Sequence, residues 1–189
     1  MNTRITNNER QQGYTLGELM IAVGVLAILS AVAVPGMQNV VQNNRRVSMA
    51  NEFVYALQSA RSEAVTRNQR ITVCASRNGT TCTNREGWGE GWIAFNNLDG
   101  NSQPDGAGEE IILHGAGGEG ITVTPLRFRN LITYRPNGRV VGSNAAVTNG
   151  EFVLCDSRGA DHARVLIVGT SGRPRISEKR ANGNAPACG

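Results

Sequence analysis

Two arginines late in the chain have the side-chain type and the spacing needed to bind neighbouring anionic groups. Arg173 and Arg175 flank Pro174, and a proline fixes its own backbone angle and favours an extended conformation for the residue before it. In an extended chain, residues two apart point the same way and lie about 6.6 Å apart. The two guanidinium groups could therefore bind adjacent phosphates. We expect Gly172 to let the backbone approach closely and to leave its amide available to an anion.

The charge of the chain is distributed unevenly. Residues 121–189 contain ten basic and four acidic residues, whereas residues 71–120 contain two basic and seven acidic ones. This asymmetry favours a polyanionic partner, with a solvated surface or a plain turn as the alternative. For a nucleic acid as that partner, phosphates carry no sequence information, so binding is expected to be independent of base sequence. Six further basic residues could contribute if folding gathers them: Lys179, Arg180, Arg135, Arg139, Arg158 and Arg164.

No set of residues in the sequence is typical of an enzyme or of a cofactor site. His114 and His162 lack a nucleophile with an orienting acid, and a phosphate-binding glycine loop of the Walker type is absent from the sequence. The acidic segment 99–105, followed by Glu110, resembles a calcium loop, but Pro104 occupies the position that requires glycine. A solvated hairpin turn is therefore the favoured interpretation. We expect no catalysis, no cofactor and no metal.

Four cysteines indicate two disulfide bonds if the domain is exported. Four cysteines allow three pairings, of which we favour Cys74–Cys82, closing a short loop, and Cys155–Cys188, tying the tail to a strand. The second bridge would restrain the basic C-terminal segment from Thr170 onward, which we call the tail. This restraint would reduce the entropy that the segment loses when it binds a ligand. A zinc site is the alternative, and the absence of a C-x-x-C spacing argues against it.

The first forty residues predict a membrane anchor. Residues 1–13 are polar with a net charge of +1, and no charged residue lies between Leu19 and Met37. Nineteen residues form a helix of about 28 Å, which matches the hydrocarbon thickness of a bilayer. The basic side should stay in the cytoplasm, and a cleaved secretory signal is the alternative. Glu18, at the edge of the apolar run, requires a cationic partner, and Pro35 predicts a bend in the helix.

Beyond the anchor, the apolar period changes from helical to strand-like. Residues 38–69 predict an amphipathic helix whose apolar stripe comprises Val47, Ala50, Val54, Leu57 and Ala64. Short segments with strand character follow, separated by turn signals such as Asn78-Gly79 and Pro136-Asn137-Gly138. These strands are predicted at Arg70–Arg77, Gly91–Phe95, Glu110–His114, Ile121–Arg129, Leu131–Arg135, Arg139–Gly142, Phe152–Cys155 and Arg164–Gly169.

The N-terminal segment from Gly13 to Met20 resembles the cleavage motif of type IV pilins and pseudopilins. The resemblance implies that a prepilin peptidase cuts after Gly13 and methylates the new N-terminus at Tyr14. It also implies that Glu18 neutralises the terminal amine of a neighbouring subunit in a filament, which supplies the missing cation. Tyr14 replaces the usual Phe, and Gly17 stands where a branched apolar residue is common.

The head resembles the GspH/FimT group of minor pseudopilins and pilins. The resemblance rests on the segment Trp88–Phe95, on Phe152–Asp156 and on Ala163–Val168. It implies an α+β, type IV pilin-like fold: a long N-terminal helix, part anchor and part amphipathic, packed on a small antiparallel β head. The expected domains are a leader (1–13), a transmembrane and filament-core helix (14–37), an amphipathic helix (38–69) and a disulfide-bonded periplasmic head (70–189).

The Gly172-Arg-Pro-Arg175 segment resembles the G-R-x-R motif of FimT-type minor pilins, which bind DNA during natural transformation. The resemblance implies a minor type IV pilin that binds extracellular double-stranded DNA for uptake, with other pilin subunits, the prepilin peptidase and the inner membrane as further partners. The subunit would reside in the inner membrane with a periplasmic head before assembly, and afterwards in an extracellular pilus. Trp88 and Trp92 are expected in the core and not stacked on bases. The alternatives are a minor pseudopilin of a type II secretion system, a priming subunit without DNA binding, and an adhesin using the acidic loop.

Overall fold

The computed structural model describes residues 13–83 and 87–188, except for the side chain of Pro35. The chain divides into two compact units, Met1–Val41 and Gln42–Gly189. One helix, α1 (Leu16–Arg67), extends through 52 residues, so the chain does not leave the helix at Pro35. Residues 1–12 of the expected leader lie outside the described part.

In the first unit, α1 is long and apolar enough to cross a membrane by length and composition. An 18-residue window of the helix has a mean hydropathy of 2.4, and none of that window is buried inside the protein. Large apolar side chains such as Ile21, Leu26 and Val32 are exposed along it. An exposed apolar surface of this size is typical of a helix that is covered by a bilayer or by other apolar helices.

In the second unit, α1 buries one face against the head. The buried face repeats at intervals of three and four residues and includes Phe53, Leu57, Ala60 and Ala64. The predicted stripe was wrong at Val47, which is 41% exposed. The repeat reaches Arg46 instead, because positions 46, 50, 53 and 57 lie on one side of a helix with 3.6 residues per turn.

The helix α1 ends at Arg67, and the two residues that follow form its C-terminal cap. Asn68 has a left-handed backbone (φ 53°), which asparagine tolerates better than most residues. The amide of Gln69 donates to the carbonyl of Ala64 at 3.2 Å, which is the bond that closes a Schellman motif. The backbone therefore leaves the helix immediately before the first strand.

The head contains two antiparallel sheets, which we call sheet A and sheet B. In sheet A the strand order is β3-β2-β1-β5-β6, and in sheet B it is β4-β7-β8-β9. The strands are β1 (Ile71–Ala75), β2 (Gly91–Asn96), β3 (Ile111–Ala116), β4 (Thr122–Leu126), β5 (Leu131–Tyr134), β6 (Val140–Gly142), β7 (Gly150–Cys155), β8 (Arg164–Val168) and β9 (Pro174–Ser177).

The eight predicted strands all occur, and two differences have physical causes. The segment predicted as Ile121–Arg129 ends at Leu126, because Arg127 has a positive φ of 78° that breaks the strand. The ninth strand, β9, lies in the basic tail, where the sequence indicated only an extended conformation. It pairs with β8 and forms an edge of sheet B.

The core lies between α1 and the inner faces of both sheets. Phe53 of α1 contacts Trp88, Trp92 and Phe152 with ring centroids 4.9 to 5.4 Å apart. All four side chains are at most 1% exposed, and the indole nitrogen of Trp88 donates to the carbonyl of Arg129 at 3.2 Å. Both tryptophans are therefore core residues and cannot stack on a ligand.

Both cysteine pairings favoured from the sequence are present. Cys74–Cys82 links β1 to the following loop, and Cys155–Cys188 links the end of β7 to the tail. Cys74 is completely buried. The outer face of sheet B, including Val153, Val165 and Ile167, packs against Cys188. The tail is thus fixed on the outer face of sheet B at the end opposite to the β8–β9 turn.

Removing the Cys74–Cys82 bridge should lower the free energy of unfolding by about 2–3 kcal/mol, because a disulfide restricts the unfolded chain. The change is Cys74→Ala with Cys82→Ala, and the measurement is urea unfolding of the full chain without reductant. Near-UV circular dichroism of the folded variant serves as the control. An unfolding midpoint equal to that of the wild type would contradict this account of the bridge.

Candidate functional site

The turn between β8 and β9 carries the predicted basic motif. It spans Gly169 to Gly172, and the amide of Gly172 donates to the carbonyl of Gly169 at 2.9 Å. The expectation that this amide is available to an anion was therefore wrong, because the turn itself uses it. Gly172 has a φ of +76°, a conformation that L side chains rarely adopt.

Gly172 is buried against a second turn, between β5 and β6. A Cβ atom at Gly172 would lie 2.2 Å from the carbonyl oxygen of Gly138 and 3.0 Å from the ring of Tyr134. Only glycine fits this contact. Tyr134 is completely buried beneath the contact, and this burial raises the pKa of its hydroxyl well above the ordinary value. The β8–β9 turn therefore rests directly on the β5–β6 turn.

The second turn has its own local signals. The amide of Gly138 donates to the carbonyl of Arg135 at 2.8 Å, and the amide of Arg135 donates to the carbonyl of Arg139 at 2.9 Å. Gly138 has a φ of +73°, which fits the Pro136-Asn137-Gly138 turn sequence. The two turns thus belong to hairpins that end in the edge strands β6 and β9, one from each sheet.

We call Arg135, Arg139, Arg173 and Arg175 the arginine-turn surface. All four side chains are exposed, and in the part of the chain that the structure describes none of them forms an ion pair. Residues 121–150 and 169–177 contain no acidic residue at all. The two turns in contact therefore carry four exposed arginines, and neither turn contains a carboxylate.

The remaining sequence-predicted basic residues do not all join this surface. Arg164 begins β8, so it lies about 13 Å from the β8–β9 turn, and it pairs with Glu178 at 3.1 Å. Arg158 pairs with Asp156 at 2.6 Å. The expectation that folding gathers Arg158 and Arg164 with Arg173 is not met, because the end of β7 and the start of β8 lie at the end of sheet B opposite the β8–β9 turn.

The two basic residues after β9 have different surroundings. Arg180 pairs with Glu151 at 3.2 Å, and Glu151 lies opposite Ile167, which in turn lies opposite Arg175. The Arg180–Glu151 pair is therefore on the same sheet face as Arg175, two strands away. Lys179 is exposed. Of the two basic residues after β9, only Lys179 has no ion-pair partner within residues 13–83 and 87–188.

Sequence reasoning missed a buried ion-pair network at the other end of sheet B. Arg46 is 2% exposed, and its guanidinium donates to Asp156, to the side chain of Asn43 and to the carbonyl of His162. Burial lowers the pKa of Arg46, and the hydrogen bond from Arg158 holds the pKa of Asp156 below its ordinary value. The signal that could have located Arg46 was the helical period that continues from Phe53.

The processing motif begins the described chain. Gly13 and Tyr14 are exposed. The carboxylate of Glu18 accepts hydrogen bonds from the amide and the hydroxyl of Thr15, both at 3.0 Å, and the Thr15 hydroxyl accepts from the amide of Glu18 at 3.3 Å. This reciprocal arrangement is a capping box. Glu18 therefore also starts its own helix.

The acidic loop differs in detail from the sequence expectation. The carboxylates that lie within 4.8 Å of one another belong to Asp99, Asp105 and Glu109. Glu110, the residue singled out from the sequence, points to Arg67 instead, at 4.0 Å. Asn101 donates to both aspartates at 2.7 Å, so the loop supplies hydrogen-bond donors to these two carboxylates from its own residues.

Comparison with known proteins identifies relatives of both parts of the chain. The family model for the type II transport protein GspH matches residues 49–172, and the model for the prokaryotic N-terminal methylation motif matches residues 9–34. Prepilin peptidase-dependent protein D of Escherichia coli (strain K12) is 41% identical over 46 residues, which is 24% of this chain and 32% of that protein. The chain thus spans about a third of the length of this curated relative.

The fold is similar to that of a solved minor pilin. The type IV minor pilin FimU of Pseudomonas aeruginosa (strain PAO1) superposes in one crystal form with a TM-score of 0.54 and 25% sequence identity, over 77% of this chain and 95% of the other. A second crystal form gives a TM-score of 0.53 and 24% identity, over 74% and 95%. The predicted long helix with a small antiparallel β head is confirmed by these matches.

Proposed function

The chain belongs to the GspH family of type IV minor pilins and pseudopilins, and on that premise we propose that it is a minor type IV pilin that binds extracellular double-stranded DNA for uptake in natural transformation. Its ligand is the phosphate backbone. One observation carries the proposal: two turns from different sheets are in contact and present four exposed arginines without an ion-pair partner in the described residues.

The chemistry of this surface fits a phosphate backbone. Arginine offers a planar set of N–H donors that matches phosphate oxygens, and the cost of binding is low when the backbone is already ordered. Arg173 and Arg175 are the main contacts, and Arg135 and Arg139 extend the surface across the two turns. No helix or side-chain set within the described residues is arranged to read base edges, so the binding does not depend on DNA sequence.

The N-terminal part of the molecule supplies the attachment. The methylation motif implies peptidase processing and assembly with other pilin subunits. In the proposal, cleavage after Gly13 leaves Tyr14 as the methylated N-terminus, and Glu18 neutralises the terminal amine of a neighbouring subunit. The subunit is held in the inner membrane with a periplasmic head until it enters an extracellular pilus. Retraction of that pilus provides the work, and the head contributes only binding.

The second candidate function is structural. A minor pseudopilin of a type II secretion system, or a priming subunit that binds no DNA, would have the same anchor, helix and head. The family match is equally compatible with it. The arginine-turn surface favours DNA binding, because a purely structural head has no need of four clustered cations without counter-ions.

Salt dependence distinguishes these functions. Fluorescence anisotropy of the full chain in a non-ionic detergent, with short DNA duplexes of unrelated sequence, should give equal affinities for all duplexes. The logarithm of the affinity should fall by about 0.9 per logarithmic unit of salt for each phosphate bound, so the four contacts of the arginine-turn surface alone account for about 3.6. Absence of binding, or an affinity that does not change with salt, would favour the structural function.

A further inference from the structure

A fifth arginine, on α1, lies between the two turns. The Nε of Arg61 donates to the carbonyl of Gly138 at 3.2 Å and to the carbonyl of Ser171 at 3.3 Å. One N–H is thus shared between the β5–β6 turn and the β8–β9 turn. The helix α1 packs into the core and is therefore a rigid element. The contacts of Arg61 hold both turns at a fixed distance from this helix.

The rest of the Arg61 guanidinium is not engaged. Its two Nη groups have no hydrogen-bond partner in residues 13–83 and 87–188, and no described carboxylate pairs with it. The side chain is half-buried, and the Nη2 atom lies 3.1 Å from the position that a Cβ atom would take at Gly138. The Arg61 guanidinium is partly removed from water and, in the described part of the chain, is bonded only to carbonyl oxygens. An anionic oxygen bound to it would therefore stabilise its charge.

We propose that Arg61 binds one phosphate of the DNA backbone between the two turns through its Nη groups, while its Nε holds the turns at the spacing that the other arginines need. This inference rests on the proposed function and extends it. The sequence gives no hint of this role, because Arg61 lies 110 residues before Ser171 and belongs to an ordinary charged position of an amphipathic helix.

Two replacements separate the phosphate contact from the positioning of the turns. Arg61→Met removes both. Citrulline, incorporated genetically at position 61, is neutral but keeps the Nε–H that donates to the two carbonyls. The readouts for the full chain in non-ionic detergent are the anisotropy of a labelled DNA duplex, the slope of affinity against salt, and the thermal unfolding midpoint. Arg45→Met is the matched control, because Arg45 is an exposed arginine of α1 that pairs with Glu119 at 3.5 Å.

The citrulline variant should keep the wild-type unfolding midpoint and bind DNA about tenfold more weakly, which corresponds to the loss of one charged hydrogen-bond contact. Its salt slope should fall by about 0.9. Arg61→Met should lose at least as much affinity, and Arg45→Met should stay within about twofold of the wild type, as expected for an exposed surface ion pair.

Each contrary outcome has a definite meaning. If the wild type binds DNA and the citrulline variant has the same affinity and slope, Arg61 contacts no phosphate and the inference is overturned, while the proposed function stands. If Arg61→Met does not fold, the citrulline variant alone decides. If the wild type itself does not bind duplex DNA, the proposed function fails, and this inference fails with it.

Discussion

Gly172→Ala should lower the free energy of unfolding by about 2–5 kcal/mol and weaken DNA binding by about tenfold or more. An alanine at a positive φ costs about 1–2 kcal/mol, and overpacking a tight contact adds about 1–3 kcal/mol. Here the new Cβ would lie 2.2 Å from the carbonyl oxygen of Gly138, so one turn must move off the other. Arg173, which follows Gly172, would then move relative to the β5–β6 turn. Urea unfolding and DNA anisotropy measure the two effects.

Gly183→Ala is the matched control for this change. Gly183 also has a positive φ, of +84°, but no atom lies within 4 Å of its Cβ position. It should therefore cost only the backbone strain of about 1–2 kcal/mol and leave DNA binding unchanged. If both variants lost the same stability and bound DNA equally well, the contact between the turns would have no part in binding.

Most of the fold could be predicted from the sequence, because its signals are local. The apolar run from Leu19 to Met37 and the helical period after it define α1, and turn residues separate the strands. Strand β9 was missed because Pro174 and Arg175 have little strand propensity by themselves. It forms through its pairing with β8, which is a tertiary contact. Similarly, Arg46 is buried because Asp156, 110 residues away, compensates its charge.

The candidate site was predictable only in part. The local motif identifies Arg173 and Arg175, and both are exposed. The contact between Gly172 and Gly138 joins two sheets, so no local pattern could show that Arg135 and Arg139 belong with them and that Arg158 and Arg164 do not. The role of Gly172 was also misjudged. Its lack of a side chain serves packing against Gly138, and its amide closes the turn.

Replacing both motif arginines should abolish most DNA binding without affecting stability. Arg173→Gln with Arg175→Gln removes two cations that form no ion pair in the described part of the head. Each charged hydrogen-bond contact contributes about 1.5–3 kcal/mol, so the loss of two should weaken binding about a hundredfold or more. The salt slope should fall by about 1.8. Since both side chains are exposed, the free energy of unfolding should stay within about 0.5 kcal/mol of the wild type.

The control for this double variant must remove the same charge elsewhere on the head. Arg127→Gln with Arg129→Gln does so, because both arginines are exposed and precede β5, whereas Arg135 follows that strand. A general electrostatic attraction would be reduced equally by either double variant. Binding through the arginine-turn surface is reduced only by the first.

The most direct test of this account is therefore a mobility shift of duplex DNA with three forms of the full chain: the wild type, Arg173→Gln with Arg175→Gln, and Arg127→Gln with Arg129→Gln. The wild type and the control double variant should shift DNA of any sequence, more weakly as salt rises, and the motif variant should not. If the motif variant shifted DNA as well as the wild type, or if no form did, the β8–β9 turn would be a structural turn only and the subunit would serve the filament alone.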